Sequence, residues 1–173
     1  ASATHTMGHE RADIGRITEL CRAHGIEVVQ PPIMQLADLR INSSAIRQAL
    51  WEGQVETAAN MLGRHYSFAG HVVRGRGLGR DLGFPTANIE PPADKLIPRE
   101  GVYAGLAVEE TPGGEARSWS AAISIGTAPT FDAGETLIEA HLLDADVPDL
   151  TGHVLRLEFV QYLREQRKFA GPE

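Results

Sequence analysis

Cysteine is nearly missing from this chain: Cys21 is the only one in 173 residues. A single cysteine excludes an internal disulfide and a zinc site made of thiolates alone. No stretch approaches the ~20 apolar residues that a membrane helix needs. Ala1 to Met7 carries no basic segment followed by an apolar core, so no secretory signal is read there. Both absences are compatible with a reducing cytosol, and the expectation is a cytoplasmic protein with no membrane partner. Basic residues are also outnumbered: 16 Lys+Arg against 23 Asp+Glu give a net charge of −7. A generic nucleic-acid binder is usually basic, so the expected partners are small molecules rather than nucleic acid. Self-association is left open. Glycine and proline, by contrast, are plentiful, at 18 and 10, more than a helical bundle tolerates.

The two ends differ. In residues 1–66, Ile14, Ile17, Leu20 and Cys21 recur on one helical face, with Gly25 as a stop. Cys21 falls on that apolar stripe, which predicts a buried core thiol. Ile26 to Val29 is a β-branched run ended by Pro31-Pro32 and predicts a strand. Asn42-Ser43-Ser44 caps a predicted helix from Ala45 to Glu52, and a second runs from Gln54 to Leu62 before Gly63. These elements make part of an α/β domain, too little for a whole one. His5 and His9 are four apart, without a third ligand at suitable spacing.

Residues 67–173 read as β. Six strands are predicted: Ser67–Arg74, Phe84–Glu90, Val102–Glu109, Ser118–Ile125, Thr136–Leu143 and Val154–Leu163. Gly or Pro punctuates the gaps. Leu155, Leu157 and Phe159 alternate with Arg156 and Glu158, the pattern of a half-buried strand. Six short strands at this spacing point to a closed or nearly closed barrel, which removes exposed edges. This part carries −6 of the net charge, yet Arg74, Arg76 and Arg80 stand together in its glycine-rich stretch. A basic loop on an acidic domain suggests a local anion site.

That stretch, Arg74 to Asn88, is the most informative. Its glycines let backbone N–H groups approach phosphate oxygens closely. It is not a P-loop, because no Gly-Lys-Ser/Thr follows, and the spacing is Gly-x-Gly-x-Gly rather than that of a dinucleotide fingerprint. The residues alone leave a flexible hairpin loop and a phosphate site both open. Thr86 and Asn88 lie two apart on one strand face, where their oxygens could ligate Mg²⁺ or simply meet water.

Leu82-Gly83-Phe84-Pro85-Thr86-Ala87-Asn88 resembles the signature of riboflavin kinases. The likeness continues through Gly101-Val102-Tyr103-Ala104, Ser124 to Phe131, Ile138 to Asp144 and Phe159 to Phe169. Over about 100 residues the chain is similar to the kinase module of bacterial bifunctional riboflavin kinase/FMN adenylyltransferases, in the order and spacing these motifs keep. The resemblance implies a mainly β, six-stranded antiparallel, Greek-key-like barrel over 67–173. Residues 1–66 resemble part of the α/β adenylyltransferase domain, through Met7-Gly8-His9, the helix at Ile14 to His24 and Ile41 to Arg47. The family's upstream His-x-Gly-His motif is not found, since His5 and His9 are four apart, and Ala45 stands where the family has threonine. The expectation is that the chain alone does not transfer adenylyl groups. The family runs on into a C-terminal helix, whereas this sequence stops at Gly171-Pro172-Glu173, so most of that helix is expected to be lacking.

The resemblance further implies transfer of the ATP γ-phosphoryl group to the 5′-hydroxyl of riboflavin, giving FMN. Arg76, Gly77, Leu78, Gly79, Arg80, Gly83, Phe84 and Pro85 would close over the nucleotide, and Thr86 and Asn88 would hold Mg²⁺ and phosphate oxygens. Glu139 would be the general base, expected to point into the barrel mouth. Arg164 and Phe169 would border the flavin. A flavin- or nucleotide-binding module without catalysis, and an FMN adenylyltransferase, are the alternatives.

Overall fold

The computed structural model describes residues 12–30, 35–36, 39–74, 86–109, 116–127, 136–143 and 147–166. The chain divides into two compact units, Ala1–Ile41 and Asn42–Glu173.

In the first unit, α1 (Ile14–Ala23) starts at Asp13, whose carboxylate accepts from the Arg16 backbone N–H at 2.9 Å. It ends where the Ile26 and Gly25 amides turn back onto the carbonyls of Cys21 and Arg22. α1 has no fully buried residue, and Cys21 is half-buried rather than a core thiol. Ile26 to Val29 is not a strand, because β propensity is a weak local preference that the surrounding structure overrides. A short hairpin, β1 (Gln35–Leu36) with β2 (Leu39–Arg40), was not foreseen.

The second unit opens with α2 (Ser43–Trp51) and α3 (Val55–Leu62). Asn42 caps α2 by accepting from the Ala45 amide at 2.9 Å. α3 stops at Gly63, whose φ of 71° is the left-handed conformation glycine adopts most readily. Ala49, Leu50, Val55, Ala58 and Met61 are buried, and α3 packs on two strands of the sheet that follows.

That sheet comprises β3 (Tyr66–Val73), β4 (Thr86–Glu90), β5 (Gly101–Glu109), β6 (Arg117–Thr127), β7 (Thr136–Leu142) and β8 (Val154–Arg164). It closes in the order β3-β4-β7-β6-β5-β8, with every pair antiparallel. β5, β6 and β7 form a meander, and β8 returns beside β5, which is the Greek-key order. The six predicted strands are therefore all present, within about two residues of their expected ends.

Alternate residues fill the interior: Phe68, Ala87, Tyr103, Ile123, Ala140 and Phe159 are all buried. Phe159 lies 5.5 Å from Phe68 and 5.3 Å, edge-on, from Tyr103. Gly105 faces inward where β5 crosses β8; a Cβ there would meet the Glu158 carbonyl and stand 2.5 Å from Ile123 Cδ1. The register of β8 against β5 shifts between Val102/Tyr103 and between Ala104/Gly105. These bulges turn the last residues of β8 relative to the wall.

Candidate active site

Because Ala87, Ile89, Ile138 and Ala140 face inward, the residues between them face out. Glu139 is on the outer wall, not in the barrel mouth, since a six-stranded barrel interior is filled by its own core. The hydrogen-bonded register assembles one continuous outer row. It runs from Val73 (β3) through Asn88 (β4), Glu139 (β7), Ser124 (β6) and Val102 (β5) to Arg164 (β8). The adjoining row is Thr86, His141, Ala122, Ala104 and Gln161.

The chemistry along these rows is graded. At the β4–β7 end, Thr86, Asn88, Glu139 and His141 are half-buried polar groups on two facing strands. Thr86 Oγ1 lies 2.8 Å from His141 Nδ1. The middle is lined by Ala122, Ala104 and Val102, with the Ser124 hydroxyl among them. Arg164 closes the far end. It stands four strand steps along the row from Asn88. A groove of about 260 Å³ runs between Val102, Ala122, Ser124, His141, Arg164 and Gln166. Gln166 Nε2 donates to Ser124 Oγ at 2.5 Å across it. A slightly larger hollow, about 330 Å³, lies between Ala69, His71, Glu90 and Val154. None of the sequence-predicted residues lines it, so the smaller groove is the better candidate.

The C-terminal end of β8 is anchored. Arg99 Nη2 pairs with Glu165 Oε1 at 2.8 Å, and its guanidinium sits 5.8 Å over the Tyr162 ring. Both charged partners are largely exposed, so the pair positions more than it stabilises. The Arg99 carbonyl accepts from the Tyr103 hydroxyl at 2.5 Å. Burial holds that phenol well above the ordinary tyrosine pKa, with the nearby Tyr162 adding to the effect and Arg99 opposing it.

Of the residues expected from sequence, Thr86, Asn88 and Glu139 come together, and Arg164 stands at the other end of the same row. Arg76, Gly77, Leu78, Gly79, Arg80, Gly83, Phe84, Pro85 and Phe169 lie outside the described residues, as do His5 and His9. His141, Ser124 and Gln166 were given no role from sequence. The signal for His141 was its spacing of two from Glu139, which puts both on one strand face.

Thr86, Asn88 and Glu139 offer a hydroxyl, an amide oxygen and a carboxylate, the oxygen donors that Mg²⁺ prefers. Among the described residues no group of three or more His, Cys, Asp or Glu stands together to hold a metal. Mg²⁺ on this face would complete its shell with water and substrate oxygens, which is its habit at phosphoryl-transfer sites. Among the described residues, no helix is long and apolar enough to cross a membrane.

The chain is similar to proteins of known assignment. The bifunctional riboflavin kinase/FMN adenylyltransferase of Escherichia coli K12 is 34% identical over 152 residues, covering 86% of this chain and 45% of the relative. The protein of the same name from Listeria monocytogenes is 38% identical over 162 residues, covering 92% and 50%. This chain thus spans about half the length of these curated relatives. A crystal structure described as a macrolide-efflux protein from Streptococcus pneumoniae superimposes with a TM-score of 0.81 at 27% identity, over 99% of this chain and 53% of that one. The family model for flavokinase, riboflavin kinase, matches residues 62–173. That span takes in the whole barrel and both rows of its outer wall, and the chain belongs to the riboflavin kinase family.

Proposed function

We propose that this chain phosphorylates the 5′-hydroxyl of riboflavin with MgATP, giving FMN and ADP. The observation that carries the reading is the graded outer row. A cluster of oxygen donors with one carboxylate stands at one end, Ser124, Ala122, Ala104 and Val102 lie in the middle, and a cation stands at the other end. That order suits a flavin laid along the wall, its hydroxyl tail beside Glu139 and its ring towards Arg164. Arg164, four strand steps along the row from Asn88, would serve the flavin end rather than the transferring phosphate.

Phosphoryl transfer asks a protein mainly for positioning and charge neutralisation. Thr86 and Asn88 would hold Mg²⁺, which when bound offsets charge on the polyphosphate. The loop from Arg76 to Pro85 would cover the nucleotide through its arginines and backbone amides. Glu139 accepts the proton of the attacking hydroxyl as the new O–P bond forms and the bond to the ADP oxygen breaks.

Residues 1–66 are proposed as part of an adenylyltransferase domain. Support comes from the alignments to the bifunctional relatives, 152 and 162 residues long, which exceed the matched kinase segment 62–173. A cytoplasmic setting fits the lone Cys21, and the net charge of −7 fits small-molecule partners rather than nucleic acid.

The test is FMN formation from riboflavin and MgATP, followed by chromatography of the flavins. FMN above a no-protein blank is the expected result. Flavin binding without FMN would replace the kinase with a binding module, and FAD formed from FMN would assign adenylyl transfer to this chain.

A further inference from the structure

Gly126 is buried although it belongs to the outer face of β6, where Ile123 and Ile125 are the residues turned into the core. The side chain of Gln166 lies over it. A Cβ at position 126 would meet Gln166 Oε1 and stand 2.6 Å from its Cδ and 2.8 Å from its Nε2. Glycine is there for space: it lets the carboxamide rest directly on the strand. Ser124, two residues back on the same face, accepts from Gln166 Nε2 at 2.5 Å. The preceding side chain, Glu165, is held on Arg99 at 2.8 Å. Consecutive side chains thus fix the stretch just beyond β8 on two sides.

This seat stands beside the proposed chemistry. Ser124 is the register partner of Glu139 on one side and of Val102 on the other. Ser124 and Gln166 both line the groove of about 260 Å³. Their contact uses one amide hydrogen of Gln166 and one lone pair of Ser124. The pair can still offer a ligand the second amide hydrogen, the amide oxygen and the serine hydroxyl proton. Such a set both donates and accepts, and it carries no charge. It suits a polyol, each of whose hydroxyls does the same, better than a phosphate, whose oxygens accept. When a terminal hydroxyl is presented to Glu139, its neighbours along a polyol chain fall next to Ser124 in the row.

We propose that Gln166, seated on Gly126 and oriented by Ser124, is a specificity-determining residue that hydrogen-bonds the secondary hydroxyls of the flavin's polyol chain. This rests on the riboflavin kinase reading of the same wall and deepens it. Glu139 takes the hydroxyl that reacts, and Gln166 with Ser124 reads those that do not.

The probe is a flavin whose side chain is a 5-hydroxypentyl group, which keeps the ring and terminal hydroxyl of riboflavin and lacks the secondary hydroxyls. Affinity is read by fluorescence quenching with the full chain and no nucleotide. Turnover with MgATP is read as kcat/KM by chromatography. Wild type should favour riboflavin over the probe in both. Gln166→Met, similar in length but without the amide, should cut that preference about three- to tenfold, the worth of about one hydrogen bond. Gly126→Ala keeps Gln166 and Ser124 but fills the seat. The carboxamide is the movable end of a flexible side chain, so it should shift, and the preference should fall by a similar factor with little change in Tm. Gly126→Ala added to Gln166→Met should cost little more, because the group it displaces is gone.

A side chain that only latches the strand end predicts weaker binding of both flavins by one factor, with the preference unchanged. That result overturns the proposal. So does full preference in Gly126→Ala, or a wild type that does not distinguish the two flavins. If the wild-type chain shows the preference in binding but forms no FMN, the kinase reading falls and the specificity assignment stands on the binding arm. Binding of neither flavin overturns both.

Discussion

Replacing Glu139 with glutamine separates the chemistry of the outer wall from its folding. Glu139 sits between Asn88 and Ser124 in the row, and both register partners are neutral. It is half-buried on the outer face, while its neighbours Ile138 and Ala140 are the ones packed in the core. Glutamine keeps the shape and the cross-strand contact, so stability should stay within about 0.5 kcal/mol of wild type. The loss falls on the reaction. A positioned general base contributes about 10²–10⁴ in rate, or about 2.7–5.4 kcal/mol of transition-state stabilisation. The limiting rate of FMN formation should drop by that factor, with the KM for ATP little changed. Glu139→Asp moves the carboxylate back by one methylene. It should recover only part of the rate, because misplacement by ~1 Å can itself cost about 10². The assay is single-turnover FMN formation beside a thermal melt. A Glu139→Gln rate within threefold of wild type would refute the assignment. So would a Tm fall large enough to account for the lost activity.

Asn88→Ala should lower FMN formation most at low Mg²⁺ and leave the melt nearly unchanged, because Asn88 is outward and only half-buried; equal losses of Tm and activity would count against a metal-holding role. Gly105→Ala should destabilise the barrel by about 2 kcal/mol through overpacking against the Glu158 carbonyl and Ile123, a Tm fall of roughly 4–8 °C, read by calorimetry. The phenols of Tyr66 and Tyr103 are both raised above the ordinary value of 10.0, chiefly by burial. Their contribution to stability is therefore fully present below pH ~10. It is lost above that, as the unfolded chain ionises first, and ultraviolet titration in the folded and denatured chain should show the delay.

The strands were legible because their signals are local. Alternation of period two and Gly/Pro punctuation mark where a strand runs, whatever it pairs with. The same logic failed at Ile26 to Val29, a β-branched run that stays irregular, since β propensity depends on context. It also passed over the hairpin at Gln35–Leu36 and Leu39–Arg40, whose strands of two residues carry no periodicity. Thr86, Asn88 and Glu139 could be named from motif resemblance, and strand alternation put Thr86 and Asn88 on one face. Which side of the barrel that face was could not be read locally. It depends on Ile138 and Ala140 meeting Ala87 and Ile89 inside, a choice made by closure of the whole sheet. The contact between Thr86 and His141 is equally non-local, because the pairing of β4 with β7 skips two intervening strands.

Placing the proposed chemistry outside the barrel ties the candidate site to the core in a particular way. In a sheet, slipping one strand by a single residue exchanges its two faces. If β7 slipped by one against β4, Glu139 and His141 would turn inward and Ile138 and Ala140 would be exposed. The buried side chains therefore enforce the alignment of the outer row, although none of them touches it. Ala87 and Ala140 are direct partners on the inner face, as are Ile89 and Ile138, and these pairs alternate with Thr86–His141 and Asn88–Glu139 along the same ladder. Small and large residues pair separately inside, so a one-residue slip would also set isoleucine against polar neighbours. On this account the backbone positions of the oxygen donors are set by the core pairs of the same ladder. Their spacing is inherited from a hydrophobic ladder one residue out of phase, so the outward positions of Thr86, Asn88 and Glu139 carry no packing duty in the core.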